Sequence, residues 1–148
     1  MSYPTEIDFG QILIGDGATP TEVFTVLCGF ENGQVNKGVE STKQFRRDCA
    51  KPGQVPTGKV KVTGKTWGVT ANGVFNAAMV PTLDAALGIS KNYKIICCKR
   101  DGTDAGLLLG TYSGPLVLTT NNMSFSQSEG TGEITMDGEN FPTWTPNP

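Results

Sequence analysis

The chain contains no histidine. That absence removes the commonest general base, the commonest metal ligand and every Ser-His or Cys-His couple from its repertoire. Charged residues are only 18% of the sequence, aromatic residues 8%, and the formal net charge is −2 with a pI near 5.1. There is no overall basic footprint for holding nucleic acid through counterion release. Long apolar runs are missing too. No window approaches the roughly 18 apolar residues of a membrane helix, and no basic segment followed by an apolar run opens the chain, so a soluble protein without a secretory signal is expected.

Cysteine is sparse, and no pair has metal-ligand spacing: the four are Cys28, Cys49, Cys97 and Cys98. Cys97 and Cys98 are adjacent in an apparent strand, so they face opposite sides and only one can enter a core. Reduced thiols acting as small hydrophobes, as in a cytosolic protein, are expected rather than a disulfide framework.

What is abundant is glycine. With 19 glycines and 9 prolines in 148 residues, the composition points to one domain of many short strands joined by turns. A hydrophobic fraction of 37% allows a core of limited size.

In chain order, residues 1–9 carry Pro4 and no sustained period, and read as an extended arm. Residues 12–14 are a short apolar run. Residues 22–30 read as a strand apolar on both faces, with Phe24, Val26 and Cys28 opposite Val23, Thr25 and Leu27, which implies burial on two sides. The apolar pattern then stops over residues 31–57, too long a gap for an ordinary connection, and this stretch reads as a long partner-binding loop or hairpin with a turn at Asn32-Gly33. It is the most basic part of the chain, through Lys43, Arg46, Arg47 and Lys51. A plain solvated loop accounts for the same pattern.

KVKVTGKT, residues 59–66, alternates lysine and threonine against valine and glycine as a half-exposed strand does. Residues 67–75 continue the sheet, with Asn72-Gly73 as a turn or bulge signal. One helix is expected in NAAMVPTLDAALG, where Asn76 can cap, Pro81 suits the first turn, Gly88 suits the position after the end, and Leu83 and Leu87 form an apolar stripe. Residues 93–100 read as a strand closed by Asp101-Gly102, and residues 107–141 as two or three more. In the last of these, Ile134 and Met136 alternate with Glu133, Thr135, Asp137 and Glu139, giving one apolar and one acidic face. The Pro-rich residues 142–148 read as an extended tail anchored by Trp144.

Several motifs fail on context. GQVPTGK, residues 53–59, has phosphate-loop spacing, but Val60 stands where a hydroxyl must meet magnesium, and a strand follows instead of a helix. DGTDAG lacks the further carboxylates of a calcium loop. The acidic row over Glu133–Glu139 has no accompanying substrate cleft, and acids on the exposed side of a half-buried strand need no function. No catalytic, cofactor or metal site is assigned, and the chain is not read as an enzyme.

The order of elements, with a polar stretch before KVKVTGKTWGV, a central PTLDAALG helix and the segments GTYSG (residues 110–114) and GTGEIT (residues 130–135), resembles that of bacteriophage major tail proteins. Subunits of gene transfer agents and contractile secretion tubes are related to these. The resemblance implies a mainly β fold, a β-sandwich or half-barrel of about eight strands flanked by one short α-helix, with a long loop between early strands. It divides the chain into an arm (residues 1–9), a tail-tube β-domain (10–141, with an inter-ring loop over 31–57) and a tail (142–148).

It further implies homohexameric rings stacked as a tube in the virion tail, assembled in the host cytoplasm. The partners so implied are tape measure, terminator and baseplate proteins, with DNA passing through and not specifically bound. By this resemblance Glu133, Thr135, Asp137 and Glu139 are lumen-lining candidates, since a like-charged wall lets DNA slide. Lys43, Gln44, Phe45, Arg46, Arg47 and Lys51 are inter-ring candidates, and Tyr3 and Trp144 are arm contacts. The alternative is a receptor- or glycan-binding β-sandwich of a virion or cell surface, for which Trp67, Tyr112 and Trp144 on or near loops are the candidates.

Overall fold

The longest strand among the described residues organises the sheet. In this computed structural model, which describes residues 6–146, β6 (Leu107–Phe125) is flanked by β5 (Ser90–Lys99) on one edge. Its other edge is shared in succession by β8 (Thr143–Pro146), along Gly110–Ser113, and β7 (Gly130–Gly138), along Leu116–Phe125. Beyond β5 lie β1 (Phe9–Gly15) and β2 (Phe24–Val26), and beyond β7 lie β4 (Thr57–Val74) and β3 (Asn32–Arg46). The order is β2-β1-β5-β6-β7-β4-β3, with all the strand pairings antiparallel.

The fold is mainly β, as expected, and of the two expected architectures it is the open half-barrel: one eight-stranded sheet that does not close. Its curl is visible in a cleft of about 440 Å³ lined both by Phe9–Ile12 of β1 and by Gln34 and Val35 of β3, although four strands separate these two in the order.

The concave face is the core. Ile12 and Ile14, Tyr93 and Ile95, Leu116 and Leu118, Ile134 and Met136, and Trp67, Val69 and Ala71 all bury there. Period-2 alternation puts each of these pairs on one side of its strand. Full burial of such side chains contributes about 1.5 to 3 kcal/mol apiece. Trp67 is locked in by close backbone approach. A Cβ on Gly138 would stand 2.0 Å from its indole nitrogen, which instead donates to the Glu139 carbonyl at 3.3 Å.

The helix forms where its punctuation lies. A 3-10 turn (Ala77–Met79) is capped by Asn76, whose Oδ1 accepts from the Ala78 amide at 3.0 Å, and α1 (Val80–Ala86) follows with Pro81 in its first turn. Gly88 takes φ +78 just past the end. The apolar stripe differs from the expected Leu83/Leu87 pair. Leu83 and Ala86 are buried, whereas Leu87 ends the helix in extended backbone, bridges to Leu118 and is exposed.

Three further expectations are corrected. Of the two readings of residues 31–57 the hairpin holds and the loop does not: β3 takes Asn32–Arg46 and pairs along its length with β4, apart from one bulge, so only residues 47–56 connect them. Along β3 the outer residues are exposed on both faces and Lys37, Ser41 and Lys43 interrupt its apolar side, so this strand leaves no period in the sequence. The two Asn-Gly signals are not turns but sit opposite each other in that ladder, with Asn32 facing Asn72. Gly73 serves a close approach, since a Cβ there would fall 1.7 Å from the Gly29 carbonyl oxygen.

Residues 22–30, expected as a strand buried on two sides, contribute only the three-residue edge strand β2, with Val23 and Cys28 exposed. The turn around Gly29, at φ +104, ends any strand geometry.

Candidate assembly surfaces

The hairpin formed by β3 and β4 continues past the core as an arm. At Glu40/Ser41 the register shifts so that Thr63 is left unpaired, and its Oγ1 donates to the Glu40 carbonyl at 3.1 Å. This bulge has a specific effect. Along β3, Val35, Val39, Ser41, Lys43 and Phe45 share the core-facing side; beyond the bulge their cross-strand partners are Val62, Val60 and Gly58. One skipped residue therefore moves even-numbered Val60 and Val62 onto the side held by odd-numbered Trp67 and Val69.

The result is an apolar stripe of Val39, Val62, Val60 and Phe45, each more than half exposed. The Lys43 ammonium lies 5.6 Å from the centre of the Phe45 ring. The opposite side of the arm carries Thr42, Gln44 and Arg46 facing Lys61, Lys59 and Thr57. Of the sequence-derived candidates, Lys43 and Phe45 thus lie on the apolar side, Gln44 and Arg46 on the basic side, and Arg47 and Lys51 at the tip, where Val55 is 88% exposed.

The acidic row divides. Ile134 and Met136 are buried while Glu133 and Asp137 are exposed and Thr135 half-buried on the convex face. Asp137 is flanked across the sheet by Gly68 and Val117, Thr135 by Thr70 and Thr120, and Glu133 by Asn72 and Asn122. No cation stands directly opposite either carboxylate. Glu139 lies past the end of β7, where its Oε2 accepts from Ser90 Oγ at 3.0 Å, so it is set apart from the other two.

Trp144 is held by β8. Its ring lies 4.8 Å from that of Tyr112 at 56° and covers Gly110, where a Cβ would come within 2.1 Å of the indole. Lys37 of β3 donates to the Tyr112 hydroxyl at 2.7 Å and sits 4.7 Å from its ring centre. This Lys37–Tyr112–Trp144 stack joins three strands. Lys37 gave no sequence signal, because its partner lies 75 positions away. The stack also corrects the loop placement of the aromatic candidates, since Trp67 is buried within β4 and Tyr112 sits in the middle of β6. Tyr3 lies outside the described residues, as do residues 147–148 of the tail.

A second cavity, of about 250 Å³, opens between α1 and the ends of β4, β6 and β7, lined by Cys28, Phe30, Phe75, Met79, Leu83 and Met123, with Asp84 beside them. Among the described residues, no group of three or more acidic or cysteine side chains is arranged to hold a metal, and no helix is long and apolar enough to cross a membrane. Burial pushes the Cys97 and Cys98 thiols up, away from the reactive thiolate. Residues 53–59, the phosphate-loop look-alike, are the hairpin tip running into β4.

Comparison with known proteins places the fold. No family model matches the sequence and no curated protein is similar to it. Solved structures are similar. A chain of the sheath–tube complex of an extracellular contractile injection system in its extended state superposes with TM-score 0.64 at 14% identity, over 99% of this chain and 95% of that one. A chain from the tail of an empty gene transfer agent particle, determined with C6 symmetry, gives TM-score 0.59 at 15% identity over 90% and 95%. The SPP1 tail tube gives 0.63 at 9% identity over 97% and 80%. The fold of this chain is that found in tail tubes and contractile injection systems.

Proposed function

We propose that this chain is a non-enzymatic structural subunit that assembles into hexameric rings stacked as a tail tube, a conduit for DNA. The observation that carries the reading is the arm: a two-stranded projection with an exposed apolar stripe that contributes nothing to its own core. Isolated hairpins are marginal in water, and exposed apolar strands are a liability unless a partner covers them. A subunit of the same fold in the gene transfer agent tail sits in a C6 assembly, which supports the hexamer. The convex face, with Glu133 and Asp137 among threonine and asparagine, is the lumen wall in this reading, because a polar, weakly anionic surface neither binds nor snags DNA.

The tube belongs to a virion tail built in the host cytoplasm. Its partners are the tape measure, a terminator and a baseplate; chains of this fold come from baseplate and tube-terminator assemblies. Of the three aromatic anchors of the receptor-binding alternative, Trp67 is buried and Tyr112 is stacked within the sheet, which leaves Trp144 as its exposed candidate.

Electron microscopy of concentrated protein, alone and with initiating tail components, tests the reading: rings or tubes are expected, and a strictly monomeric protein under both conditions would refute it. Deleting residues 39–51 should leave the domain folded by circular dichroism yet stop elongation. A deletion variant that elongates normally removes the arm from the account.

A further inference from the structure

Two apolar surfaces without partners lie at opposite ends of the β3–β4 hairpin, and they carry opposite charge. At the arm end are Val39, Phe45, Val55, Val60 and Val62, all exposed, with Lys43 and Lys65 on the same side of the hairpin as the valine stripe, Arg47 and Lys51 at its tip and Arg46, Lys59 and Lys61 on the opposite side, against only Glu40 and Asp48. At the far end the exposed Val74, Phe75 and Met123 line the 250 Å³ cavity, and Phe125, two residues beyond Met123 on β6, is exposed as well. Asp84 belongs to that cavity, and Glu31, Glu129 and Glu133 line the one beside it; neither cavity has a lysine or arginine in its lining.

Along β4 the two surfaces are separated by the run from Val60 to Val74, roughly 45 Å of strand. They cannot meet within one copy. A complementary pair at opposite ends of one chain is a heterologous contact, which repeats from copy to copy as a ring or an open stack.

We infer that the apolar side of the arm docks onto the far end of a second copy, with Phe45 entering the cavity lined by Phe75, Met79 and Leu83 and with Lys43 beside it and Arg47 and Lys51 at the tip facing Asp84, Glu31 and Glu129. The inference rests on the tube reading and names the surface that receives the arm. Phe45 is suited to this role because its exposed ring stands opposite Gly58 on the apolar side, with the flexible Lys43 side chain beside it. Charge complementarity fixes the direction, since arm against arm or far end against far end sets like charges together.

The test uses charge reversal and capture. Lys43→Glu with Arg47→Glu should raise the protein concentration needed for tube formation at least ~10-fold, a coupling expected of close charge pairs. Adding Asp84→Lys and Glu129→Lys to the same chain should bring it back to within about threefold of the unmodified protein, because the pairs are restored with their signs exchanged. Circular dichroism checks that each variant is folded. Separately, Phe45→Cys in a Cys49→Ala background, assembled and mildly oxidised, should give an intermolecular disulfide to the native Cys28, which lines the receiving cavity.

If the unmodified chain never assembles, the tube reading and this contact fall together. If it forms tubes but the second reversal restores nothing, or the introduced thiol is captured elsewhere on the chain or on another tail protein, the contact alone is overturned.

Discussion

The two halves of β4 place apolar residues on the same side of the sheet but face different environments. From Trp67 to Ala71 its core-side residues are buried, and from Val60 to Val62 the same side is open to solvent. Both halves are β-branched and glycine-containing, both pair with β3, and the Thr63 bulge keeps their apolar sides in phase. The difference is what lies across from them. The inner half faces the curled sheet, while among the described residues nothing covers the outer half. The first stabilises the monomer, and the second is available to another molecule.

That contrast orders the expected effects. On the inner side, Met136→Ala should lower stability by about 2 to 5 kcal/mol, as removal of a fully buried side chain does. Denaturant unfolding measures it, and a loss under 1 kcal/mol would mean the concave face is not a packed core.

Next comes Tyr93, whose buried hydroxyl has no hydrogen-bond partner among the described residues and whose pKa burial pushes up to about 12. The folded state therefore keeps its proton where the unfolded chain, titrating near 10, has lost it. The contribution is complete below pH 10 and is lost as pH rises from 10 to 12, by roughly 2 to 3 kcal/mol. Tyr93→Phe should abolish that window and leave stability at pH 7 unchanged or slightly higher. Alkaline unfolding curves of the two proteins decide this.

On the outer side the stability effects shrink and assembly effects replace them. Phe45→Ser should change folding stability by no more than about 0.5 kcal/mol while abolishing elongation. A large stability loss would show that the arm packs on its own domain. Least visible in the isolated protein is the convex face: Glu133→Lys with Asp137→Lys should fold and assemble but slow DNA passage, read as delayed genome delivery by reconstituted particles. Unchanged delivery would mean these carboxylates do not face the lumen.

How far the sequence foretold this follows the same division. Where one side of an element is buried, the pattern was legible: Ile134 and Met136 turned inward as their alternation required, and Asn76, Pro81 and Gly88 punctuated the helix where it formed. Where burial does not select residues, the pattern was silent. β3 shows no period because its outer part is exposed on both faces and lysine and serine interrupt its apolar side, and so the stretch left loop and hairpin undecided. Asn32-Gly33 and Asn72-Gly73 carried a local turn preference that long-range pairing overrode. Residues 22–30 erred in the other direction, with apolar residues on both faces but only three of them in an edge strand. The Lys37–Tyr112–Trp144 stack joins positions far apart in sequence, which no local pattern encodes.

Amide hydrogen exchange, compared between unassembled and assembled protein, tests the division of labour most directly. The account predicts that β3 and β4 beyond the Thr63 bulge exchange fast in the monomer and become protected on assembly, along with the segments around Phe75 and Glu129, while Val69, Leu118 and Ile134 are protected in both. Arm amides that exchange equally fast in the assembled protein would contradict it.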